Sequence, residues 1–266
     1  MAVFSAIGAG NMANAILSGA VASGYLAPGE IGTYNIHEEK RKAMACKGYT
    51  VYTSVEELCR ESRYILLSMK PQQAEEVLGK MAPVLSPHSV VVSIAAGISQ
   101  KFIKSILGEG AKVVLAMPNT PLLVGCGATA MARCEPTTRE EFDFVKGVFS
   151  SAGLVEEIPE DKMNEIIAVS GSTPAYLYLF AMYFCRYAQE QGLDPDMANR
   201  MFCQTMTGAA KMMTETGKSH QELIDMVTSP KGTTLMGLEA LKEGGLEELV
   251  RRCCDATVRR AYELGR

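Results

Sequence analysis

The sequence predicts an α/β chain, with a parallel sheet covered by helices in the first half and helices alone in the second. Three observations predict it. Short, nearly all-apolar runs alternate with amphipathic stretches up to about residue 160, the pattern of repeated βαβ units. A glycine-rich turn, Gly8-Ala9-Gly10, joins the first apolar run to the first amphipathic stretch. Beyond about Asp161 the strand-like runs cease and one helical period follows another.

Ala2 to Ile7 reads as the first strand, and about Asn11 to Ser23 as the first helix, broken by Gly24 and Pro28. Ile31 to Ile36 reads as the second strand. Tyr64–Ser68, Val90–Ile94 and Lys112–Met117 continue the alternation, each nearly all apolar, as strands buried on both faces of a parallel sheet should be. Cys126 to Arg133 and Leu154 to Ile158 are expected to add two more. In the second half, Ala175 to Gln189 is apolar on nearly every face, so this helix needs cover all round. Methionines at 197, 201, 206, 212 and 213 mark the next helix as adaptable packing surface. A region of about a hundred residues has little interior in which to hide such a helix, so the expectation is burial against a second subunit. The domains expected are 1–160, the sheet domain, and 161–266, a helical dimerisation domain.

The 266 residues carry a net charge of −4, which offers no broad attraction to nucleic acid or to an anionic membrane. The eight cysteines are scattered without CxxC pairs or histidines at ligand spacing, so no metal is expected and the thiols read as reduced. The start MAVFSAIGAGNM lacks a basic segment and does not read as a signal peptide. The most apolar run, Ala175 to Cys185, stops at Arg186, short of a membrane span. A cytoplasmic location is expected.

Gly8-Ala9-Gly10-Asn11-Met12-Ala13 follows a strand and opens a helix, the context that gives a GxGxxG-like run its meaning. Gly8 permits the tight turn, Gly10 lets a pyrophosphate approach the backbone, and Ala13 is small enough for close helix–strand packing. The helix amides and dipole then face the phosphates. These features define a Rossmann dinucleotide-binding domain. Its second strand runs out through Thr33-Tyr34-Asn35-Ile36-His37 with no acid to bind a ribose 2′-hydroxyl, and Lys40-Arg41-Lys42 follow. Neutral and basic groups there suit a 2′-phosphate, so NADPH is expected, with NADH possible. Glu38 and Glu39 lie among the basic residues, so a solvated helix face also accounts for them.

A second informative stretch is Met226-Val227-Thr228-Ser229-Pro230-Lys231-Gly232-Thr233-Thr234. Ser229 followed by Pro230 reads as a helix start, a capping hydroxyl and then the residue favoured at the first helical position. The amides around Gly232 to Thr234 would lack helical acceptors and point outward as a carboxylate cradle. An ordinary capped helix explains the same residues. Ser170-Gly171-Ser172-Thr173-Pro174 reads as a similar start for the apolar helix, its capping residues explaining its composition.

Taken together, the motifs resemble the pyrroline-5-carboxylate reductases. They are IGAGNM, Ser68-Met69-Lys70-Pro71, Ser93-Ile94-Ala95-Ala96-Gly97, Met117-Pro118-Asn119-Thr120-Pro121, SGSTPAY and VTSPKGTT, spread over almost the whole chain. The resemblance implies a Rossmann domain and a helical domain intertwined in a homodimer or higher oligomer that reduces 1-pyrroline-5-carboxylate to L-proline. By the resemblance, Ile7, Gly8, Ala9, Gly10, Asn11 and Met12 would hold the pyrophosphate, with Asn35 and Ser54 on the adenosine side. Ser68, Met69, Lys70, Pro71, Ala95, Ala96, Gly97 and Asn119 would lie toward the nicotinamide. Ser229, Gly232, Thr233 and Thr234 would bind substrate, with Thr234, the expected catalytic residue, nearest the ring nitrogen. Three departures stand out: Leu115 where an arginine often precedes MPNTP, Thr173 for a glycine in SGSGPAY, and Lys231 for the first glycine of SPGGT.

The expected chemistry is hydride transfer to a cyclic C=N bond, which needs orientation more than a strong protein acid. His37, His88 and His220 lie outside the expected substrate loop. Two rival readings are a β-hydroxyacid dehydrogenase and a catalytically weak, reductase-like protein with a regulatory or assembly role. The first wants a lysine in a motif that neither Lys162 nor Lys211 supplies, and leaves VTSPKGTT unexplained. The second is motivated by the three departures.

Overall fold

A computed structural model of the chain describes residues 2–265. Eight strands form one sheet: β1 (Ala2–Ile7), β2 (Ile31–Tyr34), β3 (Thr50–Val51), β4 (Ser62–Leu67), β5 (Val90–Ser93), β6 (Lys112–Pro118), β7 (Gly127–Cys134) and β8 (Gly153–Glu157). The order is β3-β2-β1-β4-β5-β6-β7-β8. Six helices link them: α1 (Asn11–Ala22), α2 (Glu38–Ala45), α3 (Val55–Arg60), α4 (Ala74–Met81), α5 (Gln100–Leu107) and α6 (Arg139–Ser150). All pairs are parallel except β6–β7. The link across 119–126 is too short for a crossover, so β7 returns antiparallel beside β6. α6 then gives β8 its parallel crossover.

The near-continuous apolar strands divide their side chains between two covered faces. Phe4, Ala6, Tyr64, Leu66, Val90, Val92, Val114 and Ala116 pack with Ile16, Leu17, Phe142 and Phe149 of α1 and α6. Ile7, Ile65, Leu67, Val91, Val113 and Leu115 pack on the other face with Leu58, Leu78 and Ile103 of α3, α4 and α5. Burial of each large aliphatic side chain is worth about 1.5–3 kcal/mol, which is why one strand must feed both layers.

One charge is buried with them. Glu141, with a side chain 6% exposed, closes a capping box with Thr138 at the start of α6 and meets the Lys112 ammonium at 2.6 Å. Burial alone would raise its carboxyl, but the Lys112 and Thr138 bonds outweigh it and hold it below the ordinary carboxylate value.

The second strand ends at Tyr34 instead of Ile36. The Asn35 carboxamide accepts the His37 amide at 2.9 Å, turning the chain toward α2 before the apolar run is finished.

The contacts divide the chain into two compact units, one running to Ser172 and taking in the end of the chain from Thr257, the other Thr173–Ala256. The division falls later than residue 160 because the segment after β8 and the last turns of the chain join the sheet unit. The helical unit contains α7 (Thr173–Glu190), α8 (Pro195–Glu215), α9 (His220–Val227), α10 (Thr233–Glu243) and the first part of α11 (Leu246–Leu264). It has almost no core of its own. Phe184 stacks on Phe202 at 5.0 Å, yet Tyr178 and Tyr187 remain 62% exposed and Phe180 42%. Among the described residues no helix is long and apolar enough to cross a membrane.

In the SGSTPAY segment a π-helical turn comes before the apolar helix. The turn, Ile167–Gly171, runs on into α7 at Thr173, and the Ser170 hydroxyl donates back to the Ile166 carbonyl at 3.3 Å.

Candidate active site

The carboxyl ends of β1, β2 and β4 meet where the strand order reverses, and a cleft of about 450 Å³ opens there. Ile7, Gly8, Ala9 and Gly10 form one wall, Asn35, His37 and Lys40 another, and Ser68, Met69 and Lys70 a third. Gly8 has φ +99° and donates its amide to the Tyr34 carbonyl at 2.9 Å. Gly10 caps α1 without a side-chain bond, and a Cβ on it would meet nothing within 4 Å. The protein leaves this space open directly over the free amides of the first helical turn, which contains no acidic residue. That geometry fits a dinucleotide pyrophosphate.

Neither Asn11 nor Met12 lines the cleft: Asn11 is exposed, while Met12 is half-buried and packs against the core. Asn35 is buried, with its own side chain spent on the turn. Of the three basic residues that follow, only Lys40 lines the cleft. Arg41 donates to the carbonyls of Asn35 at 2.7 Å and Ile36 at 3.2 Å, and so braces the turn. Lys42 pairs with Glu38 on the solvated face of α2. Ser54 does not line the cleft: its hydroxyl caps α3 by accepting the Glu57 amide at 3.0 Å. Tyr34, Gln73 and Val77 line it without having been expected. They sit at a strand end and on the helix beyond Pro71, where sequence carries no chemical motif.

Pro71 opens a short 3-10 turn behind Lys70. Ala95 and Gly97 line a different cavity, at the ends of β5 and β6, and Ala96 is exposed. Asn119 is buried and bridges two backbone groups, donating to the Ser170 carbonyl at 3.1 Å and accepting the Ala128 amide at 2.8 Å. It holds the segment before α7 against β7.

In the helical unit, Ser229–Gly232 corrects the expected helix start. Ser229 does not cap a helix and Pro230 is not its first residue. The four residues form a turn, with the Gly232 amide donating to the Ser229 carbonyl at 2.9 Å, and Gly232 is the residue that precedes α10. Pro230 followed by a left-handed residue is the type II pattern, so the turn consumes the hydroxyl–proline pair before the helix begins. Lys231, φ 60°, takes the position that favours glycine. A Cβ at Gly232 would lie 2.4 Å from the Ser229 hydroxyl oxygen and 3.0 Å from its carbonyl oxygen, so any larger residue would make the serine hydroxyl turn away. Thr233 and Thr234 are the first two helical residues and exposed. Their amides and that of Leu235 precede the first helical bond, from Met236 to Gly232, and the first turn carries no acid. The free amides of the helix start therefore lie at Thr233 to Leu235, where Gly232 to Thr234 were expected. Among the described residues no cluster of metal-ligating side chains occurs.

The model of pyrroline-5-carboxylate reductase dimerisation matches residues 160–264, and that of NADP oxidoreductase, coenzyme F420-dependent, matches residues 4–97. The chain is 37% identical to a pyrroline-5-carboxylate reductase of Glycine max, over 97% of this chain and 94% of that protein. Its fold superimposes on a pyrroline-5-carboxylate reductase structure from Coxiella burnetii with a TM-score of 0.93 at 32% identity, covering 100% of this chain and 99% of the other. A Plasmodium falciparum pyrroline carboxylate reductase with NADP bound gives 0.91 at 27% identity, covering 100% and 98%.

Proposed function

The chain belongs to the pyrroline-5-carboxylate reductase family and is an oxidoreductase of proline biosynthesis, and from that premise we propose that it reduces the C=N bond of 1-pyrroline-5-carboxylate with NADPH, giving L-proline. One observation carries the reading. The chain presents two helix starts, α1 and α10, each with a first turn free of acids, a glycine before it and no side chain capping it. Two anions need such places in this reaction: the cofactor pyrophosphate and the substrate carboxylate.

The nicotinamide supplies the hydride. Gly8 to Met12 hold the pyrophosphate, and Asn35, with Lys40 beside it, receives the adenosine ribose and its 2′-phosphate. The absence of an acid at the end of β2 supports NADPH over NADH. Ser68 to Pro71 and Ala95 to Gly97 border the nicotinamide; Asn119 supports that region through the backbone bonds described. Ser54 acts through α3 instead of touching the adenosine. The amides of Thr233 and Thr234, with Ser229 and Gly232 shaping the turn, fix the carboxylate. Thr234 orients or donates to the ring nitrogen, which is the proton destination when the carbon receives hydride.

The uncovered apolar faces of α7 support a homodimer through the helical region 161–266, paired with a dinucleotide domain 1–160. Incubation of purified protein with 1-pyrroline-5-carboxylate and NADPH, followed by loss of dihydropyridine absorbance and by proline formation, tests the reading. Absence of turnover with both NADPH and NADH would overturn it.

A further inference from the structure

A second cavity, of about 250 Å³, lies at the carboxyl ends of β5 and β6 within the sheet unit. Ile98, Leu115, Met117 and Met163 make it largely apolar, and the Tyr262 end of α11 closes one side. Glu160 and Tyr262 line it, and each is bonded to a neighbour outside the lining that keeps one acceptor without a donor. Glu160 takes the carboxamide N–H of Gln100, while the Oε1 of that same Gln100 is buried with no partner. Glu165 accepts the Tyr262 hydroxyl at 2.7 Å, and its other oxygen is buried with no partner. Among the described residues neither carboxylate has an ion-pair partner. Lys104, the cation that acts on Glu160, donates its ammonium to the Glu135 carbonyl.

We propose that this cavity binds a small organic cation with a guanidinium head, held by Glu160 and lying against Leu115 and Met117. Three features select that chemistry. Buried acceptors without donors each leave a desolvation cost that an N–H group removes. A guanidinium carries five N–H donors and no acceptor, and can address a carboxylate through two bonds at once. It is also more weakly hydrated than an ammonium and flat enough to lie on an apolar wall. Burial pushes the Glu160 carboxyl above its ordinary value despite the opposing contacts of Gln100, Lys104 and Cys134. The volume suits a guanidinium on a short stem and is too small for a dinucleotide. Ala95 and Gly97 form part of the wall, so an occupant touches the loop assigned above to the nicotinamide side. The binding itself does not rest on the reductase reading.

The test is calorimetric titration and thermal denaturation with ethylguanidinium chloride, against ethylammonium chloride at equal ionic strength. Wild type is expected to bind ethylguanidinium, with a Tm rise of about 2 °C or more at saturation, and to respond much less to ethylammonium. Glu160→Gln is expected to weaken binding by about tenfold or more. Leu115→Arg, which brings a guanidinium in from the wall, is expected to bind none. Leu115→Phe fills the space without donors and provides the same reading should the arginine variant not fold. No binding to wild type, equal response to both salts, unchanged affinity in Glu160→Gln, or retained binding in Leu115→Phe would each overturn the proposal.

Discussion

Gly8 and Ser68 approach so closely that an ideal Cβ on the glycine would lie 2.4 Å from the serine carbonyl oxygen. The contact is rigid on both sides. Gly8 is tied to Tyr34, Ser68 donates its amide to the Ile7 carbonyl at 2.9 Å, and φ at Gly8 is +99°. The strand-to-helix turn that opens the dinucleotide cleft therefore exists only with glycine at this position.

Gly8→Ala is expected to lose about 2–3 kcal/mol of stability, from strain and displaced backbone, and to weaken NADPH binding about tenfold or more. Denaturant titration and fluorescence titration with NADPH measure the two effects separately.

Lys231→Gly is expected to stabilise the protein by about 1 kcal/mol, because φ 60° carries a penalty for lysine that glycine escapes. Denaturation midpoints at matched protein concentration check this, and a destabilised variant would mean that the lysine side chain makes a compensating contact.

Thr234→Ala is expected to lower kcat by at least about tenfold while leaving NADPH affinity unchanged, as loss of an orienting or proton-donating group does. Steady-state kinetics with a separate cofactor titration distinguish this from general damage; wild-type turnover would remove Thr234 from the chemistry.

Glu141 ties stability to acid. Its folded carboxyl is held below the ordinary value of 4.5, so its contribution is fully present above that pH and is lost as pH falls through the folded value. Glu141→Gln is expected to be less stable than wild type at neutral pH and to show a shallower decline of Tm below pH 4.5. Parallel declines would show that other carboxylates dominate acid unfolding.

Phe180→Glu is expected to shift the protein toward monomer, since the phenyl ring lies on a face of α7 that the single chain leaves open. Light scattering across a concentration series reads the outcome, and an unchanged mass would place the interface elsewhere.

Much of the sheet could be read directly from sequence, because strands buried on both faces become continuous apolar runs and a glycine turn marks the first crossover. Ala2–Ile7 and the later runs needed no knowledge of their neighbours. The direction of β7 did not show, since an apolar strand has the same pattern whichever way it points; the shortness of the 119–126 link decides it. Residues without a motif, such as Tyr34 and Val77, became visible as cleft wall only once the strands were placed.

Sequence by itself determined the residue chemistry: one helix start marked by glycines and one by a serine–proline pair, no acid at the end of the second strand, and an apolar helix in need of cover. Tertiary structure decided how those residues are spent. It folded Tyr262 back beside Glu165 and set the Asn119 carboxamide against the Ser170 carbonyl, whereas the Ser229 turn, the Ser54 cap and the Arg41 brace close within a few residues of chain. The reason is physical. Local patterns report what a segment can do alone, whereas each hydroxyl, guanidinium and carboxylate bonds to whichever partner folding brings within about 3 Å.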